Sequence, residues 1–276
     1  MWRADRDADM RNYPYVEPLI GGAPAWRESR SMIATPVRRG RDKNGMKIMG
    51  AGQSNPLPEE VVSLAMRLGA RDDAAISHVR MRQYGAMRSS PRHSWMHFTA
   101  DQTSQIRECG FAWRADAGPL GCLRIIDELH GADAELSVRL FGLVGLTRMR
   151  RSAALRRGEL ARYLAELAYV PDAILANRTL RWSRHGDMVM AVSAGSGDAV
   201  SEVMFGLDGE GRIATVRALR PRYENGGFVE RPWHGSFSEY RHLAGRWIPW
   251  QAEVAWVVDG AEELVWRGEL TDWQAH

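Results

Sequence analysis

The chain has 276 residues, 45% of them hydrophobic and 26% charged, enough for one large folded domain or two small ones. Its net charge of +3 is unevenly spread: residues 1–48 hold ten basic and six acidic side chains, and the other 228 residues hold 27 and 28. A near-neutral main segment lacks the basic surface that nucleic acid requires, and the longest apolar run, residues 136–146, is broken by Arg139, so neither nucleic acid nor an integral membrane segment is expected.

Residues 1–55 mix Pro, Gly, Arg and Asp without apolar periodicity and read as a disordered arm, or as an extension from an upstream start site. The opening MWRADRDADM puts charge where an export signal needs an apolar run, so a cytoplasmic location is expected. Residues 56–276 read as a single domain. A helix is predicted to begin at Asn55 or Pro58 and run to Leu68, with Val61, Leu64 and Ala65 on one face and Gly69 as its stop. Strand alternation follows at residues 79–84, 95–100, 111–116, 123–129 and 136–141. Helical spacing takes over at 157–170, where Leu160, Leu164 and Leu167 share a side and Pro171 ends the segment. Strands return at 180–184, 188–193, 200–207, 212–219, 237–243, 248–258 and 263–270, with Asp208-Gly209-Glu210-Gly211 and Asp259-Gly260 as turns. The pattern predicts an α+β fold: a strongly curved, mostly antiparallel half-barrel of about eleven strands wrapped around one central helix, preceded by the N-terminal helix.

That central helix carries Glu159, Arg162, Tyr163 and Glu166 at three- and four-residue spacings. Two readings stand open: a carboxylate pair with a guanidinium on a pocket floor, or a salt-bridge ladder on a solvent face. In the first, Glu159 and Glu166, with Arg162, are the candidate acid and base of an enzyme. Of eleven tryptophans, nine lie beyond residue 56, and most suit the filling of a curved sheet. Trp113, Trp182 and Trp233 adjoin Arg114, Arg181 and His234 and are the candidates to line a cavity, with Gln83, Tyr163 and Tyr240. Arg88, Arg220 and Arg222 are candidate anchors for an anionic group if they point inward. An outward, solvated arrangement of Arg220 and Arg222 is the alternative. Both lysines, Lys43 and Lys47, lie in the arm, which removes Schiff-base and P-loop lysine chemistry from the domain. No dinucleotide fingerprint, nucleophile elbow or paired Cys-x-x-Cys occurs, no cofactor is expected, and His93 and His97 lack the spacing of a metal site. Cys109 and Cys122 fit buried thiols, which would pair only if their strands were neighbours.

Several strings carry a likeness. Residues 79–88 (VRMRQYGAMR), 95–102 (WMHFTADQ), 110–115 (GFAWRA) and 159–166 (ELARYLAE), with Pro171, Arg220, Arg222, Pro232-Trp233, Gly235, Tyr240, Gly245 and Ile248-Pro249, together resemble an uncharacterised bacterial domain-of-unknown-function family over about residues 57–270. A looser likeness, in strand order and in the approach to the last strands, is to the curved-sheet carriers of bacterial lipoproteins, which hold acyl chains in a half-barrel partly plugged by a helix. The resemblance implies a binding protein for a small hydrophobic or amphipathic molecule. The alternatives are an isomerase, cyclase or hydrolase using the Glu pair on a hydrophobic substrate, and an interaction module without a small ligand.

Overall fold

The computed structural model describes residues 57–185, 188–224 and 226–276. The expected arm at 1–55 lies outside the described residues. Helix α1, Glu59–Arg67, opens with two acidic side chains that suit the positive end of its dipole, and it buries Val61, Leu64 and Ala65. It ends at Gly69, whose φ is +73°. A Cβ at Gly69 would lie 2.1 Å from the Gly245 carbonyl oxygen, so only glycine lets the helix end approach that turn.

Six strands follow: β1 His78–Met87, β2 Met96–Gln105, β3 Gly110–Ala117, β4 Leu123–His130, β5 Asp133–Leu140 and β6 Val144–Arg150. Helix α2 spans Ala153–Ala165, a turn of 3-10 helix covers Glu166–Ala168, and α3 spans Pro171–Ala176. Seven strands complete the chain: β7 Arg181–Arg184, β8 Val189–Ala194, β9 Ser201–Leu207, β10 Ile213–Glu224, β11 Gly227–Leu243, β12 Arg246–Val258 and β13 Ala261–Ala275. All thirteen form one antiparallel sheet in the order β6-β5-β4-β3-β2-β1-β13-β12-β11-β10-β9-β8-β7.

Two meanders therefore meet at the centre, where β1 pairs with β13 from Val79↔Ala275 to Met87↔Trp266. The strands that flank the helical segment, β6 and β7, are the two opposite edges. The chain between them has to cross the sheet, and it does so over the concave face, where its apolar side chains find cover. Helix α2 packs on β9 and β10 of one half and on β3, β4 and β5 of the other. A helix of 13 residues is only about 20 Å long, so it touches both halves because the sheet curls around it. The half-barrel expectation is met.

Two details differ from the expectation. The sheet has thirteen strands instead of about eleven: β6, Val144–Arg150, escaped because Gly145 interrupts its alternation, and β11, though expected, begins ten residues before 237. The expected helix at 157–170 is α2 followed by the 3-10 turn, both ending before Pro171 as expected, and α3 is a further short helix beyond it. Ser152 caps α2 by accepting the Leu155 N–H at 3.3 Å, four residues earlier than expected. Pro171 stands at the first turn of α3, where proline is tolerated because no intrahelical donor is needed.

A buried ion pair holds α3 in place. Arg246 donates from Nε and Nη2 to the two oxygens of Asp172 at 3.1 and 2.7 Å, and its Nη1 reaches the Ala244 carbonyl at 2.8 Å. Asp172 Oδ1 also accepts the Arg71 N–H at 2.9 Å. Both side chains are 3% exposed. Cys109 and Cys122 remain separate free thiols.

Candidate functional site

Between α2 and the curled sheet lies a cavity of about 280 Å³, near the lower end of ligand-pocket sizes. Its walls are largely apolar: Met87 of β1, Leu136 and Val138 of β5, Met149 of β6, Val216 of β10 and Val254 of β12 face it, with Trp113, Trp233, Phe237, Trp256 and Trp266. Strand periodicity accounts for this set, since alternate residues of each strand point to the concave face.

The same periodicity delivers polar groups to the cavity. On β4 the inward file reads Leu123, Ile125, Asp127, Leu129, so a carboxylate stands among apolar neighbours. On β1 and β2 the inward files carry Gln83, Gln102 and Ser104. These meet the polar face of α2 in a connected chain of hydrogen bonds. Trp113 Nε1 donates to Gln83 Oε1 at 3.1 Å, and Gln83 Nε2 donates to Gln102 Oε1 at 3.4 Å. Gln102 Nε2 donates to Glu166 Oε2 at 2.5 Å. Arg162 donates to Glu166 Oε1 at 2.8 Å and to Asp127 Oδ2 at 2.6 Å. The Arg162 guanidinium also lies 4.8 Å from the Phe111 ring centre and 5.1 Å from that of Trp113. Burial opposes its charge, but Glu166, Asp127 and Glu159 more than offset this and raise its pKa.

Glu159, one turn before Arg162, is buried. Burial pushes its carboxyl up to about 8, the neighbouring Asp127 adds to the rise through its charge and a hydrogen bond, and Arg220 and Arg162 only partly counter it. Glu159 Oε2 and Asp127 Oδ1 are buried oxygens without a donor. The raised pKa of Glu159 favours its neutral form, which can offer a proton to a neighbouring carboxylate oxygen. Glu159 and Asp127 both line the cavity. The expected pairing of Glu159 with Glu166 is therefore replaced: Glu166 is held by Arg162 and Gln102, and the carboxyl partner of Glu159 is Asp127. The sequence reading missed Asp127, although a carboxylate in the apolar file of β4 was a visible signal.

Arg220 and Arg222 fall on the concave face of β10. Arg220 Nε donates to the Gly158 carbonyl at 2.9 Å, its Nη2 lies 3.5 Å from Glu159 Oε2, and its guanidinium sits 5.4 Å from the Trp233 ring centre. Arg222 lies 5.4 Å from the Trp256 ring centre, 3.4 Å from Glu224 and 3.9 Å from Glu263. Burial lowers its pKa despite those two carboxylates. Arg88 lines the same cavity and donates to the Leu264 carbonyl at 2.8 Å.

Of the candidate residues, Gln83, Arg88, Trp113, Glu159, Arg162, Glu166, Arg220, Arg222 and Trp233 come together around the cavity. Three do not. Tyr163 turns away from it, donating to the Gln105 carbonyl at 3.0 Å and accepting from Asn177 Nδ2 at 3.1 Å. Trp182 packs on Phe205, with ring centres 6.2 Å apart. Tyr240 donates to the Ile213 carbonyl at 2.6 Å and carries the Arg212 guanidinium 4.7 Å from its ring centre, outside the cavity lining. All three make contacts within the protein away from the cavity lining.

A family model for a family of unknown function, DUF6920, matches residues 55–274. The chain belongs to that family. Solved structures to which the chain is similar include a LolA superfamily protein from Nitrosomonas europaea, at 10% identity over 78% of this chain and 93% of that one, with a TM-score of 0.45. A domain described as an outer membrane lipoprotein-sorting protein from Vibrio parahaemolyticus gives 10% identity, 79% and 91% coverage and a TM-score of 0.46. A DUF1329 family protein from Desulfovibrio piger gives 10%, 78%, 91% and 0.38. These similarities are too low to bear on a ligand. No curated protein matches the chain.

Proposed function

We propose that the protein binds a small amphipathic molecule, with its apolar body between α2 and the curled sheet and an anionic end at Arg220 and Arg222. The observation that carries this reading is the cavity itself: apolar walls from both halves of the sheet, with charged groups gathered at a few points. Asp127, Glu159 and Glu166 on the floor disfavour a carboxylate there. Arg88, Arg220 and Arg222 favour one at their end.

Titration of the purified full chain with laurate, read by the fluorescence of the cavity tryptophans, tests the proposal. Saturable quenching is expected, weakened about tenfold or more when Arg220→Met and Arg222→Met are combined, as befits charge-assisted hydrogen bonds. A flat titration, with no extra mass on the protein purified from its host, counts against it.

A second reading rests on the carboxyl pair. A neutral acid facing an apolar cavity is equipped to protonate a hydrophobic substrate, with Glu159 as the acid and Asp127 as its partner. Glu159→Gln separates the two readings: a binding protein keeps its affinity, and an enzyme loses turnover while still binding.

A further inference from the structure

The β5–β6 hairpin, whose strands form part of the cavity wall, ends in an apolar tip. Leu143 is 87% exposed, Phe141 71% and Val144 58%. Leu120, in the turn between β3 and β4, is fully exposed and stands beside them, because the Phe141 N–H donates to the Cys122 carbonyl at 2.6 Å. Phe141 and Leu120 both have positive φ, +50° and +56°, a conformation that side chains other than glycine adopt at a cost. Strain of this kind, holding large apolar side chains out in water, is unfavourable twice over for the isolated chain.

The flanks supply the complementary feature. Residues 117–126 and 136–151 contain five arginines and no acidic residue. Asp116 engages Arg124, and Glu135 engages Arg148 and Arg150. Among the described residues neither Arg139 nor Arg151 meets an acidic partner, and Arg139 lies directly across from Arg124 in the β4–β5 register. Apolar side chains at a tip with cations behind them match the layering of a bilayer surface, in which acyl chains lie beneath anionic headgroups.

We propose that the tip formed by Phe141, Leu143, Val144 and Leu120 docks the protein onto a lipid bilayer bearing anionic headgroups. Val138, three residues from Phe141, and Thr147, three residues from Val144, pair across β5 and β6 and face the cavity, about 10 Å along the strands from the tip. Docking at the tip would therefore bring the cavity wall to the membrane surface. The docking claim rests on the exposed tip and its charges, independently of what fills the cavity.

The test is flotation of the full chain with vesicles of phosphatidylcholine alone and with phosphatidylglycerol added. The protein is expected to float with the anionic vesicles, less with the neutral ones, and less at high salt. Combining Phe141→Ser and Leu143→Ser is expected to weaken binding about tenfold or more, from the loss of buried apolar area. Arg139→Glu, which leaves the apolar tip intact, is expected to weaken binding to anionic vesicles only. Unchanged laurate quenching in these variants would show the fold and cavity to be intact, so that a failure of docking is separate from a failure of ligand binding. Absence of flotation by the unaltered chain, or equal flotation of the double variant, overturns the proposal. So does a dimer in sedimentation that the double variant abolishes, which would assign the tip to a second copy of the chain.

Discussion

Two buried polar clusters invite comparison. In the first, Arg246 and Asp172 satisfy one another in a bidentate pair, with Arg71 and Ala244 taking up the remaining valences. In the second, on the cavity floor, Arg162 is fully engaged by Asp127 and Glu166, yet Glu159 Oε2 and Asp127 Oδ1 accept no hydrogen bond, and Glu159 Oε2 meets only the Arg220 charge at 3.5 Å. The first cluster ties α3 to the β11–β12 turn and lies outside the cavity described above. The second faces about 280 Å³ of space. Saturation marks a group whose task is to hold the fold, and unsatisfied valences beside a cavity mark groups kept for a ligand or a proton.

The largest expected effect comes from breaking the saturated cluster. Asp172→Ala would strand a buried guanidinium, and urea denaturation should show a loss of about 3–5 kcal/mol. A loss under about 1 kcal/mol would mean that the pair is not the clamp described.

The floor should behave in the opposite way. The native-state pKa of Glu159 lies near 8, against an ordinary value of 4.5. Below the lower value both states hold the proton. Between the two values the native state holds it and the unfolded chain does not, so stability falls as pH rises, by up to about 1.4 kcal/mol per unit. Glu159→Gln, which mimics the neutral acid, should flatten that fall and leave the protein at least as stable as the original at pH 7. Denaturation midpoints measured from pH 5 to 8 decide this, and a variant with the original slope would show that Glu159 is not the group whose neutral form is favoured in the native state.

Asp127→Asn should have a smaller effect. It removes the charge that adds to the rise at Glu159, so the pH range over which stability falls should end at a lower pH. Carbon-13 chemical shifts of the Glu159 carboxyl would show its titration moving down. An unchanged titration would make burial the sole cause.

The smallest effect is expected at the surface. Arg82 and Asp101 pair at 3.2 Å with side chains mostly in water. Asp101→Asn should leave the denaturation midpoint unmoved within error, since the gain of an exposed pair is largely cancelled by screening and side-chain entropy.

Period-two alternation on the chain determined that most of these segments are strands, which residues share a face, and hence that Met81, Gln83 and Trp113 would point the same way as their neighbours in the core. The helical spacing of Leu160, Leu164 and Leu167 likewise determined that a helix interrupts the strands. Local pattern carries this information because side-chain direction follows directly from backbone geometry. Only the tertiary structure decided which face of α2 meets the cavity. The helix is buried on nearly every side, so no polar stripe distinguishes Tyr163, which bonds outward to Gln105 and Asn177, from Glu159, which faces Asp127. Whether Arg220 and Arg222 point into the half-barrel or out of it, and which carboxylate Glu159 meets across more than thirty residues of chain, depended on the curl of the sheet. That curl is set by long-range pairing such as β1 with β13, which no local sequence window contains.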